Sequence, residues 1–234
     1  MGSGDDLHAA FILHRREFRN SSLILELFVR KLGRLPAVAR GVRGKKRGES
    51  SLYEPFRPLL VRLAGRGDVR TLIGIEAAGD APKLKARELY CGFYVNELLM
   101  RLLGRDDAHV ALFDRYHTVL YELAEGEIEQ TLRRFELHLL QELGYAMMLD
   151  QVAGTGKPVE RGQRYAYVPE VGPTMLAPDE TKGYRGETLL ALAGELPLDE
   201  EGKKEARHLM RAVLARYLGD KPLKSRELFQ MMQK

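Results

Sequence analysis

The residues best suited to chemistry in this sequence form one short basic stretch, "RGVRGKKR", from Arg40 to Arg47. Five of its eight residues are arginine or lysine, and none is acidic. Mobile cations of this kind suit a nucleic-acid backbone, whose phosphates demand positive charge but carry no sequence information. A solvated loop that joins two strands is the plainer interpretation, so the surrounding sequence must decide between the two.

The charge distribution favours the nucleic-acid interpretation. Residues 1–80 hold 15 Lys and Arg against 9 Asp and Glu, a surplus of +6, whereas the whole chain has a net charge of only +4. Because aromatic residues for base stacking are sparse in this part, we expect sequence-independent binding dominated by phosphate contacts. The candidate DNA contacts are Arg34, Arg40, Arg43, Lys45, Lys46, Arg47, Arg57 and Arg70.

No pattern of catalytic residues rivals this basic surface. The segment Gly154–Lys157 ("GTGK") superficially resembles a phosphate loop, but Gln151 stands where the first glycine belongs and Pro158 where Ser or Thr should follow. The six histidines form no HExxH pattern, and no serine lies in a G-x-S-x-G elbow. The single cysteine, Cys91, excludes an intramolecular disulfide and a multi-cysteine metal site. These patterns predict a binding protein and not an enzyme.

Period-two patterns predict the elements that would position the basic surface. Five short apolar runs are separated by turn signals, at residues 8–18, 21–30, 33–43, 56–64 and 69–77. Five strands in about 80 residues, with a long loop after the third, match a small OB-type barrel, and an SH3-like barrel fits the strand count almost as well. Arg34, Arg40 and Arg43 lie on or just after the third predicted strand.

The period changes to that of helices after residue 80. A helix is predicted over residues 84–103, and because it is apolar on nearly every side we expect it to be central and buried. Apolar residues at helical spacing over 112–123, 128–143 and 209–218 predict further helices. Residues 153–183 are rich in Gly, Pro and Tyr and predict an irregular or hairpin insert. The expected fold is therefore α+β, with a barrel domain at 1–80 and a helical-bundle domain at 81–234.

The bulk composition is that of an ordinary globular protein, with 44% hydrophobic and 30% charged residues. No apolar run approaches the roughly 18 residues that cross a bilayer, and the N-terminus lacks the pattern of a secretory signal. We therefore expect no membrane contact and a cytoplasmic location, in association with the nucleoid.

Several longer strings resemble the RecO family of bacterial recombination mediators. In order along the chain they are "GRLPAVARGVR", "FRPLLVRLAGRGDVRTL", "LYCGFYVNELL", "TLRRFELHLLQELGY" and "KPLKSRELF". The resemblance covers about residues 8–230 and implies an OB domain, a helical domain and binding to single- and double-stranded DNA without enzymatic turnover. It also implies two protein partners, RecR and the acidic C-terminal tail of single-strand-binding protein.

One departure from the family pattern concerns zinc. Many RecO proteins carry a four-cysteine zinc module in the region that corresponds to residues 153–183, and here that region contains no cysteine. The sequence is thus similar to the zinc-free branch of the family. We expect no metal and no other cofactor, and an insert that holds itself by packing.

The resemblance also directs attention to the helix predicted at 128–143. An acidic peptide that ends in phenylalanine needs an apolar pocket with a cation at its rim. The candidate rim cation is Arg133, with Arg134 as the second choice, and the candidate apolar residues are Leu137 and Leu140. The plainer interpretation of Arg133 is an ion pair with Glu129, one turn earlier on the helix.

The expected function is that of a DNA repair and recombination mediator. Such a protein would bind DNA on the barrel, anneal complementary strands and help to load recombinase on gaps coated with single-strand-binding protein. The alternative is a non-catalytic adaptor whose barrel binds RNA or protein and whose basic loop is incidental.

Overall fold

The computed structural model describes residues 6–42, 50–177 and 182–225. Its N-terminal part is a closed barrel of five strands in the order β1-β2-β3-β5-β4. All neighbours are antiparallel except β3 and β5, which run parallel. This Greek-key order is that of an OB-type barrel and decides against the SH3-like alternative. The strands are β1 (His8–Phe18), β2 (Ser22–Val29), β3 (Gly33–Ala39), β4 (Leu59–Ala64) and β5 (Arg70–Ala77).

The barrel closes around the apolar residues that alternate along its strands. On β2, Leu23, Leu25 and Leu27 belong to the core, while Ile24 between them faces outward. On β3 the core positions are Leu35, Ala37 and Ala39. Because successive side chains of a strand point to opposite sides, the even-numbered residues of β2 and β3 form the outer face of the barrel.

Two helices cover one end of this outer face. They are α1 (Ala86–Leu102) and α2 (Val110–Glu125). Phe28 of β2 and Phe11 of β1 each lie 5.3 Å, between ring centroids, from Phe113 of α2. The amide nitrogen of the buried Asn96 donates to the carbonyl of Leu13 at 2.8 Å. These buried aromatic and polar contacts fix the helices to the barrel.

The segment between α1 and α2 also lies against the barrel, at the start of β3. Gly33 has a positive φ of 75°, and a Cβ atom there would lie 1.9 Å from the carbonyl oxygen of Asp107. The amide of Asp106 donates to the carbonyl of Arg34 at 3.0 Å. Only glycine permits so close an approach, so this end of β3 is closed to solvent.

The chain divides into two compact units. The first extends to Gly126 and takes in the residues from Pro222, where the Ser225 hydroxyl donates to Glu97 at 2.7 Å. The second spans Glu127–Lys221. The predicted boundary near residue 80 marks the change from strands to helices, whereas the first compact unit includes α1 and α2 as well. Helices α1 and α2 belong to the first unit because α2 packs against the barrel through aromatic contacts.

The second unit combines three helices with a small sheet. Its helices are α3 (Ile128–Glu142), α4 (Gly186–Ala193) and α5 (Glu200–Leu218), and its sheet has the order β7-β6-β8, with β6 at Arg164–Val168, β7 at Gly172–Met175 and β8 at Tyr184–Arg185. The sheet occupies the region expected to be an irregular or hairpin insert, and β6 and β7 do form a hairpin.

The predicted α+β fold, a barrel followed by helices, is confirmed. Two details differ from the sequence analysis. Strand β4 begins at Leu59, so Arg57 lies before the strand and not on it. Helix α1 buries one stripe, which includes Cys91, Val95 and Leu99, while most of its other residues are only half-buried. Within the described residues, no helix is both long and apolar enough to cross a bilayer.

Candidate nucleic-acid interface

The end of the barrel's outer face that the helices leave uncovered forms an accessible sheet surface. Cross-strand pairing puts Arg16 of β1 beside Ile24, Ile24 beside Val38, and Val38 beside Thr71 of β5. Side chains paired in this way lie on the same face of a sheet. We call this surface, with the neighbouring residues Phe18 and Arg40, the open face.

The open face combines apolar groups with unpaired cations. Ile24, Val38 and Phe18 are half-buried, while Arg16 and Arg40 are exposed. Neither arginine makes an ion pair with any residue that the structure describes. A sheet surface of this kind offers charge for phosphates and a flat apolar floor for sugars or bases.

An open cavity of about 940 Å³ lies at the edge of the open face. The turn between β1 and β2 forms one wall, and the end of β3 forms the other. The amide of Val42 donates to the carbonyl of Ser21 at 2.8 Å and joins the two walls. Of the eight described residues that line it, two are arginines and none is acidic; they are Phe18, Arg19, Asn20, Ser21, Ser22, Val38, Arg40 and Gly41.

Two of the predicted DNA contacts have carboxylate partners instead. Arg34 forms an ion pair with Glu26, and its Nε and Nη2 donate to the carbonyl of Leu103 at 3.1 and 3.0 Å. Arg70 binds Asp106 through Nη2 at 3.0 Å. A guanidinium held by a carboxylate has little charge left for a phosphate. These two arginines therefore hold the barrel to the segment between α1 and α2.

The remaining predicted contacts fall into two groups. Arg40 lies on the open face, and Arg57 is half-buried in the segment before β4. Arg43, Lys45, Lys46 and Arg47 lie outside the described residues. In sequence they directly follow Val42, whose amide donates to the carbonyl of Ser21 in the β1–β2 turn. The DNA-contact assignments stay predictions.

Sequence reasoning missed two cations of this surface, Arg16 and Arg19. Both belong to the basic cluster "HRREFR" at residues 14–19, the end of β1 and the turn that follows. The cluster is plain in the sequence. The face of the barrel on which its side chains lie could not be predicted, because a register shift between Ile12 and His14 breaks the alternation of β1.

The four residues of the predicted peptide site on α3 differ in burial: two are buried and two are partly exposed. Arg133 is 6% exposed and donates through Nη2 to the buried Glu136 at 2.8 Å, and Leu140 is fully buried. Arg134 keeps a third of its side chain exposed and donates to the carbonyl of Glu195 at 3.1 Å, while Leu137 is half-buried. The expectation that Arg133 lies at an accessible rim conflicts with its burial. The physical reason is the carboxylate of Glu136, which draws the guanidinium inward.

In the part of the chain that the structure describes, the ion pair between Arg133 and Glu129, the plainer interpretation of Arg133, is not formed. Glu129 accepts a hydrogen bond from Arg207 of α5 at 2.6 Å. The Nε and Nη1 atoms of Arg133 are buried and have no hydrogen-bond partner among the described residues. The contact between Glu129 and Arg207 connects α3 to α5.

The insert is held to α5 by a charged network centred on Glu205. This carboxylate accepts hydrogen bonds from Arg164 at 3.0 Å, from the amide of Arg185 at 3.1 Å and from the Thr188 hydroxyl at 2.6 Å. Arg185 also binds Asp199, which lowers the pKa of that carboxyl to about 2. Within the described residues, no cluster of His, Cys, Asp and Glu could hold a metal ion. Arginine–carboxylate contacts thus connect the insert to α5, while its Val159 and Tyr165 are buried.

Comparison with known proteins assigns the chain to a family. Residues 7–79 match the model of the recombination protein O N terminal domain, and residues 85–227 match that of its C terminal domain. The chain is 44% identical to the DNA repair protein RecO of Nitrosococcus oceani over 97% of its length and 94% of the relative's. It is 47% identical to that of Alkalilimnicola ehrlichii (98% and 94%) and 45% identical to that of Coxiella burnetii (95% and 96%). The chain therefore belongs to the RecO family of recombination and DNA repair proteins.

Proposed function

We propose that the protein binds single- and double-stranded DNA through the open face and the basic stretch at residues 40–47, without strong sequence preference. The observation that carries this proposal is the contrast in pairing among the barrel arginines. Arg16 and Arg40 have no carboxylate partner among the described residues, whereas Arg34 and Arg70 do. Phosphate binding needs cations whose charge is not already neutralised.

The salt dependence of DNA affinity tests the proposal directly. Each phosphate contact releases condensed counterions, so the slope of log affinity against log salt measures the number of contacts. Replacing Arg43, Lys45, Lys46 and Arg47 with Ala should reduce the slope on single strands by roughly 0.7 per lost contact, equally for all sequences. An unchanged slope would leave only Arg16 and Arg40 as contacts and would remove the basic stretch from the site.

A matched control for the single substitutions Arg16→Ala and Arg40→Ala also removes one positive charge, but away from the open face. Lys31 is exposed in the turn between β2 and β3, at the opposite end of β2. Lys31→Ala should leave the salt slope unchanged. If it lowered the slope as much as Arg16→Ala or Arg40→Ala, net charge alone would govern binding and the open face would not be the site.

We further propose that the protein acts as a recombination mediator. Cations on the barrel reduce the repulsion between two phosphate backbones, so complementary strands can anneal without any bond being made or broken. The membership in the RecO family supports this role, and with it the loading of recombinase on gaps coated with single-strand-binding protein. RecR and the acidic tail of single-strand-binding protein are the proposed protein partners.

For the acidic tail we propose the accessible edge of α3, with Arg134 and not Arg133 as the rim cation. Arg134 is partly exposed beside the half-buried Leu137, and only its contacts to Glu195 would have to be exchanged. Arg134→Ala should weaken binding of the isolated tail peptide by roughly 10-fold or more if the contact is desolvated, and leave binding of naked DNA unchanged. Equal losses for peptide and DNA would show one shared surface.

An adaptor that binds RNA or protein is the second candidate function. The one observation that favours an adaptor is the pair of half-buried apolar residues on the open face, Ile24 and Val38, which could pack against a protein. Titrations at several salt concentrations separate the two candidates, because an adaptor for proteins should show little DNA binding even at low salt. A clear preference for RNA of the same sequence would favour the RNA-binding form of the adaptor.

A further inference from the structure

The tight turn between β1 and β2 places an arginine at a left-handed backbone position. Arg19 adopts φ 52°, in the left-handed region that residues other than glycine rarely occupy. Its guanidinium carbon lies 5.1 Å from the centroid of the Phe18 ring, within the range of a cation–π contact. The turn therefore holds a cation and an aromatic ring together at the rim of the cavity.

The cavity suits one nucleotide better than a smooth stretch of backbone. Phe18 and Val38 supply apolar surface, and Asn20, Ser21 and Ser22 supply polar groups around it. Arg19 and Arg40 contribute charge from the two opposite walls, which the hydrogen bond from Val42 to Ser21 holds together. The volume of about 940 Å³ is within the usual size of small-molecule sites.

We propose, on the basis of the DNA binding argued above, that this cavity binds one unpaired nucleotide and so makes the barrel favour single strands over duplexes. The base stacks on Phe18, and Arg19 and Arg40 hold the phosphates on its two sides. A base inside a duplex has both faces covered by its neighbours and cannot stack on the ring without leaving the helix. Since every base has such a face, this contact adds strand selectivity without sequence preference.

The contact between Arg19 and Phe18 in the free protein is compatible with this exchange. A cation–π contact at an exposed site is weaker than the stacking of a base on an aromatic ring. The incoming base can therefore displace the guanidinium, which then binds the adjoining phosphate. Arg19 thus covers the ring in the absence of DNA and becomes a phosphate contact in its presence.

The test uses the full chain and three probes of equal length at one salt concentration. They are a single strand, the corresponding duplex, and a base-free strand in which a tetrahydrofuran residue replaces every nucleoside. The base-free strand keeps the phosphates. Phe18→Leu removes the aromatic face while it keeps an apolar side chain at the position. This variant should lose roughly 10-fold in affinity for the normal single strand and change little on the other two probes.

Two further variants separate stacking from folding and from charge. Phe18→Tyr keeps the aromatic face and should retain the affinity of the native chain for single strands. Lys31→Ala should leave all three affinities in their original ratios. Equal thermal midpoints of the native chain and the Phe18 variants show that the hairpin remains folded. The fluorescence of 2-aminopurine in the single strand should rise on binding to the native chain, because the base leaves its neighbours, and should change less on binding to Phe18→Leu.

The outcomes distinguish this proposal from the proposed function. If Phe18→Leu weakens all three probes equally, or none of them, the nucleotide site is wrong while DNA binding through the cations stands. The same conclusion follows if the native chain binds the normal and the base-free strand equally well. If the native chain shows no salt-dependent binding to any probe, the proposed function fails, and the nucleotide site fails with it.

Discussion

Arg34 lies near the start of β3 and Arg40 directly follows its end, yet the two arginines have different surroundings. Arg34 is closed in by the segment between α1 and α2, pairs with Glu26 and donates to the carbonyl of Leu103. Arg40 is exposed beside a cavity whose lining has no acidic residue. The same residue type thus serves structure at one end of the outer face and is available for a ligand at the other.

The difference arises from the helices that cover the barrel. Where α2 packs on Phe11 and Phe28, the outer face becomes an interface within the first compact unit, and its polar groups must find internal partners. Where the helices end, the same strands present Arg16, Ile24 and Val38 to solvent. Coverage of the sheet, more than its composition, decides which of these arginines have carboxylate partners and which are exposed without one among the described residues.

The largest expected effect tests the covered end. Phe28→Ala removes a fully buried ring that contacts Phe113 and Tyr116, and should lower the free energy of unfolding by ~3–5 kcal/mol. Ile24→Ala, on the same strand but on the open face, should cost only about 1 kcal/mol because Ile24 is half-exposed. Urea unfolding of both variants measures the contrast. Similar losses would show that the open face is covered in solution.

The second effect tests the paired cation. Arg34→Ala leaves the Leu103 carbonyl and the Glu26 carboxylate without their donor and should cost ~1–3 kcal/mol of stability. The salt slope of DNA binding should stay at the native value in the folded protein. If Arg34→Ala reduced the salt slope without changing stability, Arg34 would leave Glu26 to bind phosphate. The proposed contrast between a paired Arg34 and an unpaired Arg40 would then be wrong.

A smaller effect is expected for the unpaired cation. Arg40→Ala should not change stability, because no described residue pairs with it, and should reduce the salt slope on single strands by roughly 0.7. Fluorescence anisotropy titrations at four or more salt concentrations measure the slope, with Lys31→Ala as the control. A loss of stability in Arg40→Ala would show that the arginine has a structural partner.

The smallest effect extends the comparison to the paired arginines of the second unit. The hydrogen bond from Arg185 lowers the pKa of Asp199 to about 2, from an ordinary value of 3.8. A lowered pKa in the folded state contributes stability above the unfolded value, and this contribution is lost as the pH falls from about 4 toward 2. Asp199→Asn keeps a residue suited to the start of α5 but removes the charge.

Thermal unfolding of the native chain and of Asp199→Asn between pH 2 and 7 measures this contribution. The native chain should be slightly more stable near neutral pH, and the two midpoints should converge as the pH approaches 2. The difference should be small because Asp199 is exposed. A constant difference across the whole range would show that ionisation of Asp199 is not linked to folding.

Much of the fold follows from local patterns that the sequence displays directly. The alternation of apolar residues predicted all five barrel strands, with β1 correct at both ends, and the change to a helical period near residue 80 marked the start of the helices. The absence of cysteine in the insert and the basic stretch after β3 are equally plain in the sequence. Such patterns are readable because strands repeat every two residues and helices every 3.6.

The roles of individual cations could not be read in the same way. Arg34 was predicted to contact DNA because it lies, with Arg40 and Arg43, on or just after the third predicted strand, and Arg133 was predicted to be a rim cation because it borders an apolar stripe. Their partners are Glu26 and Leu103 for the first and Glu136 for the second. Conversely, Arg16 and Arg19 became candidates only because the structure places Arg16 beside Ile24 on the open face and Arg19 in the lining of the cavity.

By itself the sequence determined the barrel, the helices and the charge asymmetry, since each depends on the spacing of residue types along the chain. Only the tertiary structure decided which arginines are neutralised, which face of the barrel is open and where its cavity lies. The Leu103 carbonyl that occupies Arg34 is 69 residues away along the chain. A charge is satisfied or left free by whichever groups the fold brings within hydrogen-bond distance, and no local periodicity carries that information.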